Sequence, residues 1–370
     1  MKGSALRLDS AIYEMPENDL PGLCQLHLNE NLFASTIAAE DRLATRCFAA
    51  QSGRLNRYPV QGADRLKVEL ARHASCAPEQ VVVGNGSSEL LRLLFISLLG
   101  KCERVLLPEP SWSFYRVCAQ LVGGEVFTYP LLNGKGCYVY DLSEIKCRIQ
   151  SCNPRVVIVC SPNNPTGNSI NADELLELVD AYRDVSFVVD QAYCGFSDDD
   201  GGSIRILQKA ARRSNLFVTR TFSKFLGLAD IRVGYLVCNA KWALTMSAMS
   251  PVFGISTLNQ DLAISRLNDA PLHELIRSEF YKVRSYVFDE LRRMDGVDPY
   301  WTDANFMLMR IAEGEVDVCS ELRSCGFVVK REVIESAGTY LRVTIADSDT
   351  MTKLLNALRT ALEVRNEMHG

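Results

Sequence analysis

The stretch LFVTRTFSKFLGLADIRVGY, residues 216–235, predicts a buried strand that ends beside a lysine. Its apolar beginning gives way to threonine and serine, which is typical of a strand that leaves the core. Lys224 follows at the rim of the predicted sheet, where open α/β folds bind their ligands. Arg232 comes eight positions later, and Gly227 and Gly234 lie near the two cations in the sequence. The pattern favours a ligand that offers a carbonyl group to one cation and an anionic group to the other.

The composition indicates an ordinary globular protein without an excess of basic charge. Of the 370 residues, 47% are hydrophobic and 23% are charged, and the formal net charge is -5. This balance does not favour a nucleic acid partner. No apolar run has the length of a membrane span, and the first residues lack the apolar core of a signal peptide. We therefore expect a cytoplasmic protein that does not bind a membrane.

Cysteine and histidine usage points to the same compartment. The 13 cysteines are dispersed and none forms a C-x-x-C pair, so we expect most of them to be reduced residues of a cytosolic protein. The 4 histidines are too scattered to suggest a zinc site, and no metal is expected.

The pattern of elements predicts two domains. From about residue 60, short apolar strands alternate with amphipathic helices, which is typical of an α/β fold with a mostly parallel sheet covered by helices on both faces. After about residue 250, a long amphipathic run and few strands indicate a smaller α+β domain. We expect an N-terminal arm and the start of the small domain over 1–45, a large domain over 46–260 and a small C-terminal domain over 261–370.

Further segments place polar atoms at the end of a predicted strand. In VVVGNGSSELL, residues 81–91, Gly84 and Gly86 allow a close approach of the backbone, and Ser87 and Ser88 begin a helix. Free amides, two hydroxyls and the positive end of the helix dipole can together hold a phosphate dianion. A simple helix cap explains the same residues at least as well when the segment is taken alone.

An asparagine pair and an aspartate end the next two predicted strands. In VVIVCSPNNPTGN, residues 156–168, two prolines force a turn that projects Asn163 and Asn164, and an amide there can donate to a phenolate oxygen. In VSFVVDQAYCGF, residues 185–196, Asp190 ends an apolar strand. A buried carboxylate is costly unless a positive charge pairs with it, and a protonated pyridine nitrogen is such a partner. A helix N-cap is the alternative role for this aspartate.

Pyridoxal 5′-phosphate carries the groups that these segments can hold. It offers an aldehyde to Lys224, a ring nitrogen to Asp190 and a phosphate to Arg232 and the turn at Gly86. While the aspartate is ionised the ring nitrogen stays protonated, and the ring can accept electrons from a carbanion at the substrate's Cα.

In the order and spacing of five motifs, the chain resembles the fold type I pyridoxal-phosphate enzymes of the class I/II aminotransferase group. It is most similar to the histidinol-phosphate aminotransferase branch. The matching pieces run from LNEN at 28–31, through RYP at 57–59, to LRV at 341–343, so nearly the whole chain is covered.

The resemblance implies a fold, an activity and an assembly. The fold is a mostly parallel sheet of the seven-stranded type, sandwiched by helices, with a smaller α+β domain. The activity is that of a pyridoxal-phosphate-dependent aminotransferase acting on an L-amino acid or a related, possibly phosphorylated, amine. Tyr58, in RYP, corresponds to a tyrosine that reaches the phosphate of the neighbouring subunit, which implies a homodimer with shared active sites.

The resemblance also implies roles for individual residues. The catalytic set is Lys224, which bonds to the cofactor, Asp190, which pairs with the ring nitrogen, and Tyr193, which donates with Asn164 to the ring oxygen. The other cofactor contacts are an aromatic residue on the pyridine face and the phosphate-binding residues: Trp112, Gly86, Ser87, Ser88, Thr221, Ser223, Arg232 and Tyr58. The substrate contacts are Arg342, which takes the α-carboxylate in a bidentate pair, and the candidates Asn164, Asn31, Lys330 and Asp230.

Several positions depart from the family pattern. Leu32 stands where NENP has proline, Ser88 replaces a common acidic residue, and Asp230 replaces a glycine of G-L-A-G-x-R. The carboxylate of Asp230 either pairs with Arg232 or Arg220 or faces a cationic group of the substrate.

A further departure lies in VVKRE, residues 328–332. Lys330 takes the place of an arginine of the phosphate-handling branch, and Arg331 follows it. The basic pair is either a phosphate contact or a solvated face. Together the departures favour a specialised amino-acid substrate over a standard role in the histidine pathway.

Other reactions can use the same cofactor site. One alternative is elimination of a β or γ substituent, with or without cyclisation, on a cationic amino acid such as a hydroxyarginine. Another is decarboxylation, as in the threonine-phosphate decarboxylase branch. A binding module without chemistry is disfavoured because Lys224, Asp190 and Asn164 are all present, and a nicotinamide dehydrogenase is disfavoured by the imperfect glycine pattern.

Overall fold

A computed structural model describes residues 13, 17, 20–50, 56–59, 61–134, 136–198, 200–312, 317–334 and 339–367. Side chains are not described at 41, 49, 50, 61 and 364–367. The first part of the predicted N-terminal arm, residues 1–19, lies outside the described residues except for residues 13 and 17.

The described elements alternate along the chain much as the apolar pattern predicts. The strands are β1 Cys24–Gln25, β2 Val81–Asn85, β3 Arg104–Glu109, β4 Glu125–Asn133, β5 Tyr138–Tyr140, β6 Val156–Cys160, β7 Ser186–Asp190, β8 Leu216–Thr221, β9 Val233–Val237, β10 Val297–Pro299, β11 Phe306–Ile311, β12 Phe327–Val328, β13 Lys330–Glu332 and β14 Thr339–Thr344. The helices are α1 Ala34–Ala50, α2 Asp64–Ala74, α3 Gly86–Leu98, α4 Phe114–Leu121, α5 Leu142–Cys152, α6 Ala172–Ala181, α7 Asp200–Ala210, α8 Ala240–Met249, α9 Thr257–Leu267, α10 Ala270–Arg292, α11 Val318–Ser324 and α12 Ser348–Glu367.

The largest sheet of the described chain has the order β2-β9-β8-β7-β6-β3-β4-β5. The neighbours from β8 to β4 are parallel, whereas β9 is antiparallel to both of its partners. The predicted α/β fold with a mostly parallel sheet is thereby confirmed. The eighth strand, β5, is an addition to the expected seven, and it pairs antiparallel with the end of β4.

Both faces of this sheet are covered by helices, and the central strands are therefore apolar on both faces. In β6, Val157 and Val159 contribute to one core with α2, α5, α6, α7 and α9, whereas Val156 and Ile158 contribute to another with α3, α4 and α8. Successive side chains of a strand point to opposite faces, so an unbroken apolar run is what a doubly covered strand requires.

A separate core lies in the C-terminal part of the described chain. The antiparallel sheet β10-β11-β14-β13 packs with α10, α11 and α12 around residues such as Phe280, Met307 and Leu341. Ala263 of α9 belongs to a core of the large sheet, whereas Ile276 of α10 belongs to this second core. The domain limits at 45 and 260 stay predictions.

The chain between β1 and α1 joins the second core. β1 pairs in parallel with β12, with Cys24 opposite Phe327. Leu26 and Phe33 are fully buried in the same core. This anchoring leads the intervening residues, 27–31, past the carboxyl ends of the large sheet.

Two negative findings apply to the described chain. None of its helices combines the length and the apolar character that a bilayer crossing requires. Nor do three metal-ligating side chains come together anywhere within the described ranges.

Gly234 gives a test of the packing between β9 and α3. A Cβ at this position would lie 2.5 Å from the carbonyl carbon of Gly86 and 2.5 Å from the amide nitrogen of Ser87. We expect Gly234→Ala to lower the free energy of unfolding by about 1–3 kcal/mol, because backbone atoms have to move apart. Urea denaturation monitored by circular dichroism measures the loss.

Gly254→Ala is the matched control, since a Cβ there would come no closer than 3.4 Å to its neighbours. We expect it to change the free energy of unfolding by less than about 0.5 kcal/mol. Equal losses in the two variants would contradict the close approach of β9 to α3.

Candidate active site

A cavity of about 600 Å³ lies at the carboxyl ends of β6, β7 and β8. Parallel strands direct these ends to one edge, so polar residues that are distant in sequence meet there. Most of the predicted site residues line the cavity, namely Ser87, Ser88, Trp112, Asn164, Asp190, Tyr193, Thr221, Ser223, Lys224, Arg232, Lys330 and Arg342. The other predicted residues, Gly86, Tyr58, Asn31 and Asp230, are not among its lining residues.

Lys224 reaches the cavity from the turn after β8. Its Nζ donates a hydrogen bond to the carbonyl oxygen of Leu28 at 2.7 Å. Burial lowers the pKa of this amine to about 7, the cations of Arg342 and Arg232 lower it as well, and the carboxylate of Glu30 opposes them. Near neutral pH the amine is therefore present in both its protonated and its neutral form, as an acid–base group needs.

The turn that carries the lysine is fixed from below by two buried side chains. Asn31 Nδ2 donates to the carbonyl oxygen of Phe225 at 2.8 Å, and Arg266 Nη1 donates to that of Leu226 at 2.9 Å. Both residues are almost fully buried. The backbone from which Lys224 projects is thus held by contacts outside the cavity.

Asp190 ends β7 as a buried carboxylate, with 1% of its surface exposed. It accepts hydrogen bonds from the hydroxyls of Tyr115 at 2.8 Å and Thr219 at 3.1 Å. Burial raises the pKa of this carboxyl group, although the two hydroxyls and the amide of Ala192 oppose the change. No cation of the described residues forms an ion pair with it, so a protonated ring nitrogen fits this position.

A cradle for an anion lies at the start of α3. Gly86 has a φ of +75°, and a Cβ there would lie 2.6 Å from Arg232 Nη2, so glycine allows the guanidinium to approach the helix. Arg232 Nη1 donates to Ser223 Oγ at 3.2 Å, and Ser223 contacts the Thr221 hydroxyl at 3.0 Å. The free amides of the helix start, the hydroxyls and one arginine together suit a phosphate dianion.

The two asparagines of the proline-rich turn point in different directions. Asn163 is fully buried, and its side chain bonds to Ser111, Thr166 and the carbonyl oxygen of Pro110. Asn164 faces the cavity, where its Oδ1 accepts a hydrogen bond from Arg342. Because the oxygen is occupied, the amide nitrogen of Asn164 remains as a donor to a ligand.

Arg342 is held by four neighbours. Besides its bond to Asn164, its Nη2 donates to the carbonyl oxygen of His27 at 2.9 Å. Its Nε lies 3.3 Å from Glu332 Oε1 in an ion pair that lacks hydrogen-bond geometry. Its guanidinium also lies over the ring of Phe306, 5.4 Å from the centroid. These contacts hold the planar group at the cavity wall.

Trp112 and the basic pair complete the wall. The indole Nε1 of Trp112 donates to Tyr13 Oη at 3.0 Å, and its ring stacks on Phe114 with the centroids 4.7 Å apart. Lys330 lies opposite Arg342 in the register of β13 and β14, and both Lys330 and Arg331 are exposed at the cavity.

Apart from Gly86, which belongs to the cradle around Arg232, three predicted residues lie away from this chain's cavity. Asn31 uses its amide oxygen to accept from the Thr36 hydroxyl and the Phe33 amide, in addition to its bond to Phe225. Asp230 is exposed and has no ion pair among the described residues. Tyr58 is 81% exposed and stacks on Phe253, with the ring centroids 4.7 Å apart.

Sequence reasoning missed several residues at the cavity. Tyr115 and Thr219, which bond to Asp190, have no individual signal in the sequence. Asn29 and Glu30 lie in the quoted LNEN motif, and Glu332 lies in VVKRE, but no role was predicted for them. The signal that the sequence offers for Asn29, Glu30 and Glu332 is their position in motifs that also contain predicted site residues.

The donor set fits pyridoxal 5′-phosphate. Lys224 would hold its aldehyde, Asp190 its ring nitrogen, Asn164 and Tyr193 its ring oxygen, and the cradle around Arg232 its phosphate. The strongest structural argument is the buried carboxylate of Asp190, which lacks a cation among the described residues.

Comparisons with known proteins agree with this donor set. The profile of the family "Aminotransferase class I and II" matches residues 21–358. The chain is 33% identical over 305 residues to histidinol-phosphate aminotransferase 2 of Archaeoglobus fulgidus, covering 82% of this chain and 84% of the relative. It is 30% identical over 344 residues to the histidinol-phosphate aminotransferase of Ruminiclostridium cellulolyticum, covering 92% and 93%. These names favour amino transfer over elimination, cyclisation or decarboxylation.

Solved structures share the fold. The histidinol-phosphate aminotransferase of Sinorhizobium meliloti in complex with pyridoxal-5′-phosphate has a TM-score of 0.79 at 20% identity and covers 92% of this chain and 91% of its own. The L-threonine-O-3-phosphate decarboxylase of Porphyromonas gingivalis has a TM-score of 0.77 at 21% identity, covering 92% and 100%.

The low pKa of Lys224 can be tested in the cofactor-free protein. We expect trace acetylation of this amine, measured by mass spectrometry of peptides, to be half-maximal near pH 7, because only the neutral amine reacts. Glu30→Gln should move the midpoint to lower pH by less than about one unit, because the carboxylate of Glu30 raises this pKa.

Glu109→Gln is the matched control. Glu109 also lines the cavity, but it pairs with Arg116 at 3.1 Å and is not one of the groups that shift the pKa of Lys224. The midpoint should not move in this variant. A midpoint of the parent protein near 10.5, the ordinary value of a lysine, would contradict the proposed environment.

Proposed function

The chain belongs to the class I and II aminotransferase family and uses pyridoxal 5′-phosphate, and on that premise we propose that it transfers the amino group of a small substrate that carries a phosphate. An amino acid or its keto acid is the exchange partner. The observation that carries the proposal is the meeting of an amine with a pKa of about 7 and a buried carboxylate without a cation in one cavity.

Lys224 is proposed to be the acid–base group of the reaction. The cofactor, when bound, supplies an electron-accepting ring that stabilises negative charge at the substrate's Cα. The neutral Nζ of Lys224 removes the proton from the substrate's Cα and then delivers it to C4′ of the cofactor. Its partner in the cofactor-free chain is the Leu28 carbonyl, which gives the amine a defined position while it is not bonded to the cofactor.

Asp190 and the donors at the ring oxygen are proposed to tune this chemistry. The carboxylate of Asp190 keeps a proton on the ring nitrogen, and the hydroxyls of Tyr115 and Thr219 hold the carboxylate in place. The amide nitrogen of Asn164 and the hydroxyl of Tyr193 donate to the ring oxygen, and Trp112 covers one ring face.

Arg342 is proposed to orient the amino-acid substrate. A guanidinium has five N–H groups, and Asn164 and the His27 carbonyl each take one of them. One N–H remains on each Nη, and this is the pair that binds a carboxylate in two parallel bonds. Two-point binding fixes the rotation of the substrate, so that the Cα–H bond faces Lys224.

Lys330 and Arg331 are proposed to bind the phosphate of the other substrate. Both line the cavity, both are exposed there, and no ion pair within the described ranges occupies either of them. The relatives named above are aminotransferases of histidinol phosphate, a phosphorylated compound, which supports the same substrate class. A lysine binds phosphate as a point charge, without the fixed fork of an arginine.

The proposal includes a homodimer with shared active sites in the cytoplasm. Tyr58 is supported as a contact to the cofactor phosphate in the partner subunit because it is exposed, together with Phe253 on which it stacks, and does not line its own cavity. The cytoplasm is supported by the 13 cysteines, all of which are free.

The reaction can be tested without a keto acid. We expect the purified holoenzyme, mixed with a panel of amino acids and phosphorylated amines, to convert one equivalent of cofactor to its amino form and to release one equivalent of keto product. Spectra of the cofactor and mass spectra of the product measure this half-reaction. Loss of water or carbon dioxide, with the aldehyde form retained, would contradict amino transfer.

Lys224→Ala should abolish both the half-reaction and the covalent attachment that borohydride reduction reveals by mass spectrometry. Lys353→Ala is the control, because Lys353 lies on α12 in an exposed pair with Asp349. Parent-like transfer by the Lys224 variant would rule out the assigned base.

The phosphate assignment is tested with Lys330→Ala. We expect kcat/KM to fall about tenfold for a phosphorylated amine, which corresponds to the roughly 1.4 kcal/mol of one charge-assisted contact. The same constant should stay unchanged for an amino acid without a phosphate. Equal losses for both substrates would contradict a phosphate contact at this position.

A further inference from the structure

The hydroxyl of Tyr193 has a buried partner that the sequence reasoning did not predict. Asn29 Nδ2 donates to Tyr193 Oη at 3.0 Å. The two residues are 2% and 6% exposed, so water does not compete for this bond. The Tyr193 ring is also fixed, by an edge contact with Phe306 whose centroid lies 5.0 Å away.

The direction of this bond decides what Tyr193 can do. A phenol has one hydrogen, and a hydroxyl that accepts from an amide keeps that hydrogen for another acceptor. No acceptor for it is found among the described residues. Since Tyr193 lines the cavity, a ligand bound there could accept this hydrogen bond.

Asn29 is itself clamped by residues of the second core. Its amide N–H donates to Thr344 Oγ1 at 3.0 Å, and its carbonyl oxygen accepts from Asn305 Nδ2 at 3.1 Å. Its backbone has a φ of +54°, a conformation that asparagine adopts more readily than most residues. Its amide oxygen lies 3.4 Å from the Thr344 hydroxyl, which leaves the amide nitrogen for Tyr193.

We propose that Asn29 is a positioning residue that fixes Tyr193 as a hydrogen-bond donor to the cofactor's ring oxygen and thereby tunes the acidity of the bound cofactor. The inference rests on the proposed function, because it needs Tyr193 at the ring oxygen. It adds a residue without cofactor contact of its own.

The test uses the pH dependence of the visible absorbance of the bound cofactor in the holoenzyme. A hydrogen-bond donor stabilises the anionic ring oxygen. When the donor is lost, the oxygen holds more tightly the proton that it shares with the nitrogen joining Lys224 to the cofactor, so the absorbance midpoint rises. Tyr193→Phe removes the donor and should raise the midpoint by about one pH unit.

Two substitutions at position 29 separate the direction of the bond from its presence. Asn29→Gly removes the amide while tolerating the positive φ, and we expect it to raise the midpoint by roughly half a unit. Asn29→Asp cannot donate and instead accepts from Tyr193, so the midpoint should rise at least as far as in Tyr193→Phe. In the Tyr193→Phe background, Asn29→Gly should cause no further shift.

Thr344→Val is the matched control for loosening of the segment. It removes the hydroxyl that holds the Asn29 backbone and Leu26, but it leaves the amide–phenol bond intact. We expect a lower Tm and an unchanged absorbance midpoint.

The outcomes distinguish the inference from the function on which it rests. A shift in Tyr193→Phe without a shift in either Asn29 variant overturns the role of Asn29 and leaves that of Tyr193 standing. No shift in Tyr193→Phe overturns the assignment of Tyr193 to the ring oxygen. A shift in Thr344→Val as large as that in Asn29→Gly also overturns the inference, because general loosening then explains both.

Discussion

A carboxylate buried without a cation is the constraint to which the rest of the site responds. Asp190 lies at the end of a strand covered on both faces, so water cannot solvate it, and two hydroxyls and one amide compensate only in part. Such a group is stable as an anion only when a positive charge joins it. The ring nitrogen that we propose to pair with Asp190 would therefore contribute to the electrostatics of the fold as well as to the chemistry.

Three consecutive residues connect this site to the second core. His27, Leu28 and Asn29 contact Arg342, Lys224 and Tyr193 respectively. The flanking residues are anchored in the second core, through Leu26 and Phe33. The residues assigned to substrate orientation, proton transfer and cofactor tuning thus all depend on the position of one short segment.

The sequence predicts those features that depend on local pattern. Asp190 at the end of a strand, and Asn164 and Lys224 shortly after two others, can be found because an apolar run stops at polar residues. The mostly parallel sheet follows from the alternation of elements. The five-motif resemblance supplied the roles. The cavity then brings together most of the residues that were named from separate segments.

What the sequence did not predict depends on the pairing of segments. Thr219 meets Asp190 because β7 and β8 pair in a register that places the two opposite each other. Asn31 belongs to a motif whose neighbours Asn29 and Glu30 line the cavity, yet its own side chain bonds to the turn below Lys224. Asn29 has a positive φ, so this segment does not follow the regular alternation of a strand, and no spacing rule in a single sequence shows which of its side chains faces the ligand.

The pair formed by Glu332 and Arg342 has a consequence for turnover. A substrate carboxylate bound to the two Nη atoms, as proposed, would share the guanidinium with the acid already at Nε, so one positive charge would serve two anions. The substrate carboxylate, and equally the product carboxylate, would be held less strongly than by an arginine without an acidic neighbour. An enzyme that binds two substrates in alternation and releases two products gains from this weaker binding. Tight binding of substrates and products alike slows the cycle.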